Sequence, residues 1–346
     1  MNMDKPVIVI KIGSSVIADP SGNIDPAVIE KIASELATIS KTYNPILVSS
    51  GAVSSGKGSL KSYKGKLIER KAAAAVGNPI LIDQYGKCFS RYDIRVAQAL
   101  LERHHFSNRK QFVQLKDTIR ELWKNGILTI VNENDFVSSH ELKFSDNDEL
   151  ATLIAIALNA EILLLCTTAG GYRDDQDNII EKVEEIESSL LGYLKNEKSS
   201  FGTGGMASKL SFTRLATSLG IRVVICGITS EEPFINALSG GSGTSFQPKH
   251  SSLKDRQKWL SSGSVTIGSI QIDDGAIEAL NNRKNLLSIG IVLIQRPFLK
   301  GEVVQLVDAN GAIAGVAKMK MGASEIDTTK TKRNKVAARA DDIVMF

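Results

Sequence analysis

Five short runs of uninterrupted apolar residues, each emptying into a small polar loop, constrain this chain more than any other feature. Val7 to Ile10 leads into Lys11-Ile12-Gly13-Ser14-Ser15, Ile46 to Val48 into Ser49-Ser50-Gly51-Ala52, and Gly126 to Val131 into Asn132-Glu133-Asn134-Asp135. Ile162 to Leu165 leads into Cys166-Thr167-Thr168-Ala169-Gly170-Gly171, and Val223 to Cys226 into Gly227. A run that never alternates has no solvent face, so it reads as a strand covered on both sides, the pattern of a parallel sheet. Such a sheet needs helical crossovers. Asp25-Pro26 offers an N-cap and a first-turn proline, and Val28, Ile29, Ile32, Ala33, Leu36 and Ile39 then form one apolar helical face. Leu150 to Leu158 and Lys209 to Leu219 read as further helices, the second stopped by Gly220. The expected fold class is α/β with a mainly parallel central sheet.

At 346 residues the chain exceeds the usual size of one core, which predicts two domains. The pattern changes near Gln247 to Asp255, and the domains are expected at 1–250 and 256–346. Beyond the change come alternating segments, Ser264 to Ile267 and Glu302 to Val307, with turns expected at Asp273-Asp274-Gly275 and Ala309-Asn310-Gly311. These predict a small β-rich module. Its tail carries Lys330, Lys332, Arg333, Lys335 and Arg339, read first as a solvated face and second as a nucleic-acid contact. The net charge of +4 is too small to imply a nucleic-acid role by itself. No run of 18 apolar residues and no leader pattern is present, so neither a membrane nor a secreted protein is expected. Three scattered cysteines, Cys88, Cys166 and Cys226, support neither a disulfide framework nor a zinc knuckle, and the four histidines show no metal-ligand spacing. No metal site is expected in the protein itself.

Chemistry concentrates at the carboxyl ends of the strands, where open α/β sheets bind ligands. Asn132 to Asp135 and Asp146-Asn147-Asp148 bracket Phe136 to Ser145, and carboxylates with carboxamides suit an ammonium and the polar edges of a small ligand. An Asn-rich turn with a helix cap at Asp146 is the plainer reading of that stretch. Gly51 to Gly58 approaches a Walker A loop but has Gly58 where a magnesium-ligating hydroxyl belongs, and Gly202 to Ala207 fits a dinucleotide fingerprint in the wrong place for one. What survives is glycine-rich backbone open to phosphate oxygens, a helix after Met206 directing its positive end at them, and point charges from Lys11 and Lys209.

Six ordered motifs now carry a resemblance: Val9 to Ser15, Val48 to Val53, Lys71 to Gly77, Asn132 to Asp135, Asp146 to Asp148 and Gly202 to Lys209. On these the chain resembles the glutamate 5-kinases of the amino-acid kinase family, which open proline biosynthesis, with a carboxy-terminal module similar to a PUA domain. The resemblance implies a three-layer amino-acid kinase fold and ATP-dependent phosphorylation of the L-glutamate side-chain carboxylate, with ATP and Mg²⁺ required. It implies that Lys11 and Lys209 flank the transferring phosphoryl group with Asp148 orienting them. Ser50, Asp135 and Asn147, supported by Asn132 and Asp146, would hold glutamate. Lys11, Gly13, Cys166, Thr167, Thr203, Gly204, Gly205, Met206, Ala207, Ser208 and Lys209 would line the nucleotide site. It further implies a cytoplasmic homo-oligomer, proline as a feedback inhibitor competing near the glutamate pocket, and glutamyl-phosphate reductase as pathway partner.

Two departures stand out. Cys166 and Thr167 occupy the places where the family has Thr-Asp, and a lost carboxylate there bears on base or ribose recognition and so on nucleotide preference. Gly322 to Ala338 is shorter and more basic than the family's second domain there. A kinase of the same fold with another carboxylate, carbamate or phosphate acceptor is the second reading, and an RNA-associated protein the third.

Overall fold

The computed structural model describes residues 5–19, 23–107, 109–137, 144, 146–186, 206–228, 230–249, 266–326 and 335–345, of which 107, 109, 207 and 267 by backbone alone. The chain divides into two compact units, residues 1–105 with 111–251, and residues 252–346 with 106–110.

The first unit is built on strands β1 (Val7–Ile12), β2 (Asn44–Ser49), β3 (Arg95–Leu101), β4 (Ile127–Glu133), β5 (Ile162–Cys166), β6 (Lys182–Val183), β7 (Arg222–Cys226) and β8 (Thr244–Phe246). They form one sheet in the order β3-β4-β2-β1-β5-β7-β8-β6. All pairings are parallel except β7 with β8. The helices are α1 (Ser14–Ile17), α2 (Pro26–Ile39), α3 (Ala52–Gly56), α4 (Leu67–Ser90), α5 (Arg103–Ser107), α6 (Arg109–Lys124), α7 (Asn147–Leu158), α8 (Met206–Ser218) and α9 (Pro233–Leu238). Asp25 caps α2 as its sequence suggests, accepting the Ala27 N–H at 2.8 Å ahead of Pro26.

Strand periodicity decides which face each side chain serves. Ile8, Ile10 and Ile12 enter one core with Ile29, Ile32 and Leu36 of α2, Leu81, Tyr85 and Phe89 of α4, and Phe234 of α9. Lys11, between Ile10 and Ile12, therefore points to the opposite face, and its ammonium meets the start of α7 there. Every residue of α7 from Asp148 to Leu158 is buried, which is why its sequence is apolar all round rather than amphipathic.

Four local readings change. β3 was not legible, because it is an edge strand whose polar Arg95 and Gln98 interrupt the apolar run. The run ending at Val131 continues as strand through Asn132 and Glu133. α7 and α8 start before the apolar residues that announced them, at Asn147 and Met206. The near-Walker segment is helical rather than an open loop: Gly51 takes a left-handed φ of +110° and opens helix α3. α3 then crosses α4 so closely that a Cβ on Gly77 would lie 1.7 Å from the Ala52 carbonyl oxygen, and one on Gly56 1.9 Å from that of Ala73.

The second unit holds β9 (Thr266–Ile272), β10 (Leu286–Leu287), β11 (Ile291–Arg296), β12 (Val303–Val307), β13 (Ile313–Lys318), β14 (Val336–Ala338) and β15 (Ile343–Met345), with helix α10 (Asp274–Asn281). Its five-stranded sheet runs β11-β9-β12-β13-β15, and β10 pairs with β14. Ile270, Ile272, Leu280, Val304, Leu306 and Ala317 are among the residues of a separate core. The Asn310-Gly311 turn joins β12 to β13 as expected, with Asp308 accepting the Asn310 and Ala312 N–H groups at 2.9 and 2.8 Å. The other expected turn is a helix start instead: Asp273 caps α10 by accepting the Ala276 N–H, and Asp274 and Gly275 lie in its first turn. An Asp before a short amphipathic run signals a cap as readily as a turn. Of the basic tail only Lys335 and Arg339 are described; Lys330, Lys332 and Arg333 lie outside the described residues.

Candidate functional site

At the carboxyl ends of β1, β2, β4 and β5 the first unit opens into a cavity of about 620 Å³. Its charged centre is a triad. Asp148 in the first turn of α7 is fully buried, and its two carboxylate oxygens meet Lys11 Nζ at 2.6 Å and Lys209 Nζ at 2.9 Å. Both lysines are themselves more than nine-tenths buried. Burial by itself would push the Asp148 carboxyl up, but the two ammonium groups outweigh it and hold it below its ordinary value. One carboxylate between two ammonium groups leaves the centre with a surplus positive charge facing the cavity. Gly13 lies beside that centre, where a Cβ would stand 3.7 Å from Lys11 Nζ, in ordinary contact.

Beside the triad lies an amide network. Asn147 Nδ2 donates to Ser50 Oγ at 2.8 Å, Asn132 Oδ1 at 3.1 Å and the Ser49 carbonyl at 3.3 Å. Asn132 Nδ2 in turn donates to Asn78 Oδ1 at 3.3 Å, which also accepts from Gln98 Nε2 at 3.2 Å. With its amino group spent on these acceptors, Asn147 presents its carbonyl oxygen as an acceptor. Ser49 is locked from behind by the Tyr85 hydroxyl at 2.8 Å, whose pKa burial raises far above the usual range. Asp146 serves two roles at once. One of its oxygens caps α7 by accepting the Asp148 and Glu149 N–H groups at 2.9 and 3.0 Å, and the other accepts the Ser208 hydroxyl of α8 at 2.8 Å. The plain helix-cap reading of Asp146 was thus correct, and the cap also ties two site helices together.

Of the residues singled out from sequence, Lys11, Gly13, Ser50, Asn132, Asp135, Asp146, Asn147, Asp148, Cys166, Thr167 and Lys209 all line this one cavity. Met206 and Ser208 are not among its lining residues, and Ser208 is committed to Asp146. The side chain of Ala207, and the whole of Thr203, Gly204 and Gly205, lie outside the described residues. Within the Asn132 to Asp135 run, Asn134 turns aside to Glu102 at 3.0 Å. Cys166 and Cys226 are register partners on β5 and β7, and their mutual hydrogen bond together with burial pushes the Cys226 thiol well up, away from nucleophilic use. Sequence reasoning missed Asn78, Gln98 and Tyr85, which sit on α4 and the unrecognised edge strand. It also missed Tyr63 and Arg70 on the cavity wall. Arg70 and Asn78, which directly flank the Lys71 to Gly77 motif, had a signal beside them.

Comparison with known proteins agrees with this architecture. The profile of the Amino acid kinase family matches residues 6–227, and that of the PUA domain residues 268–340. The chain is 39% identical over 330 residues to glutamate 5-kinase of Aquifex aeolicus (strain VF5), covering 93% of this chain and 92% of that one. It is 37% identical over 345 residues to glutamate 5-kinase 1 of Bacillus subtilis (strain 168), covering 96% and 94%. Among solved structures, the carbamate kinase from Giardia lamblia bound to AMP-PNP superposes with a TM-score of 0.52 over 71% of this chain and 99% of that one. At 17% identity that last likeness is one of fold.

Proposed function

The chain belongs to the amino acid kinase family and carries a PUA domain, and from that premise we propose that it phosphorylates the side-chain carboxylate of L-glutamate with ATP, giving glutamyl 5-phosphate for proline biosynthesis. One observation carries the reading. Asn147 and Asp148 are adjacent in sequence, so the first turn of α7 holds the acceptor-binding amide network and the phosphoryl-facing lysine triad in a single cavity.

The chemistry needs little more. The γ-carboxylate is ionised at neutral pH, its ordinary pKa being about 4.3. One of its oxygens forms a bond to the γ-phosphorus of ATP while the bridging P–O bond breaks, and the electron pair leaves on ADP. No proton has to move, so a general base is not required. The protein's work is to align acceptor and donor and to stabilise the charge that spreads over the transferring group, which Lys11 and Lys209 do from fixed positions. Asp148 keeps both ammonium groups in place. Asn147, Ser50 and Asp135 hold the acceptor, with Asn132 and Asp146 fixing Asn147 and the helix start. Mg²⁺ would enter with ATP as part of the substrate and neutralise charge on its phosphates.

The same reading extends to proline competing for the acceptor pocket, to a homo-oligomer, to a cytoplasmic location with glutamyl-phosphate reductase as the enzyme that consumes the product, and to domains at 1–250 and 256–346. A proline titration that leaves turnover unchanged removes the first of these. The kinase itself is tested by ATP- and Mg²⁺-dependent ADP release with glutamate, aspartate, N-acetylglutamate and carbamate in parallel, with hydroxylamine trapping any acyl phosphate. Turnover with glutamate and a matching hydroxamate is expected; a response to another acceptor alone would replace glutamate in the proposal.

A further inference from the structure

We infer that Arg70 binds the α-carboxylate of the acceptor and so makes the enzyme select an amino acid over a plain carboxylate; this rests on the kinase reading above. L-Glutamate at neutral pH brings two carboxylates and one ammonium. The γ-carboxylate belongs with the lysine triad, and the ammonium with the acceptors Asp135 and Asn147. The α-carboxylate still needs a cation. Lys11 and Lys209 are both tied to Asp148. Arg70 is the remaining cation on the lining among the described residues, and its guanidinium makes no hydrogen bond or ion pair with any of them.

How Arg70 is mounted supports this. It lies in the first turns of α4, on the wall that continues from Ser50 through α3. Next to it, Glu69 turns away to accept the Lys64 and Lys66 N–H groups at 2.6 and 3.1 Å, pinning the loop to the helix start. Glu69 is the acid of that first turn, and Arg70 follows it as the fourth residue of α4. A guanidinium also matches a carboxylate with two parallel N–H donors, which an ammonium cannot.

The test compares L-glutamate with 4-aminobutyrate, which keeps the ammonium and the reacting carboxylate but lacks the α-carboxylate. Arg70 is exposed, so its variants should fold, and an unchanged thermal midpoint confirms it. Arg70→Met is expected to raise the KM for L-glutamate by about 10- to 100-fold, the scale of a lost charge-assisted pair, with the KM for ATP unchanged. The preference for L-glutamate over 4-aminobutyrate should narrow by the same factor, and Arg70→Lys should restore part of it. If the wild type turns over L-glutamate and Arg70→Met keeps both its KM and its preference, the assignment is overturned alone. Silence of the wild type with L-glutamate overturns the kinase reading and the assignment with it.

Discussion

Asp148 is the residue on which the site turns. A carboxylate this deeply buried is costly unless paired, and here two ammonium groups pair it at 2.6 and 2.9 Å. Asp148→Asn leaves two buried ammonium groups without their partner and should lower stability by about 3 kcal/mol at neutral pH. The folded pKa is depressed from 3.8, so this contribution is full above that range and is lost as the pH falls through the folded value. Denaturant midpoints of wild type and variant should therefore converge below pH 3.8; a gap that persists in acid would show that the ion triad is not its source. Lys11→Ala and Lys209→Ala should each lower kcat by at least ~100-fold in a protein that still folds, as removal of a fixed electrostatic stabiliser does. Near-normal turnover in either would refute that lysine's role. Asp135→Ala should raise the KM for glutamate more than that for ATP, and the reverse pattern in steady-state kinetics would take Asp135 out of the acceptor pocket.

Elements explain why some of this was legible and some was not. Strands buried on both faces announce themselves as apolar runs, and the polar residues that follow fall at a predictable end of the sheet, so Lys11, Ser50 and Asn147 could be found without coordinates. β3 could not, being an edge whose outer face is wet. Neither could the α3–α4 crossing, since nothing local separates Gly56 and Gly77 from loop glycines. That crossing sets the wall from Ser50 to Arg70. Gly77→Ala, which would drive a Cβ to 1.7 Å from a backbone carbonyl, should force the helices apart and cost about 1–3 kcal/mol or more. It should also raise the KM for glutamate while the KM for ATP stays near normal; thermal melts and kinetics that match wild type would mean the helices can part freely.

For the whole molecule, two cores imply two cooperative units. Every described residue lining the cavity belongs to the first, so ATP with glutamate should raise one calorimetric transition and leave the other in place. At 100 times the Kd the shift corresponds to about 2.7 kcal/mol. A single transition that moves as one with ligand would show the units unfold together. The sequence pointed to two units from length and from the change in periodicity, but not to the helix at Asp273, where the same residues suit a turn or a cap.

The sheet order also has a history in time. The chain's first strand, β1, ends as the sheet's centre, with β2 on one side and β5 on the other. During synthesis its first edge is covered almost at once, whereas the second must wait for Ile162 to emerge, on the order of ten seconds at ribosomal speed. Through that interval an apolar strand edge stands open beside the lysine that later meets Asp148. A nascent chain of this design is a natural client for chaperones, and truncated chains ending before β5 should be far more prone to aggregate than the finished enzyme.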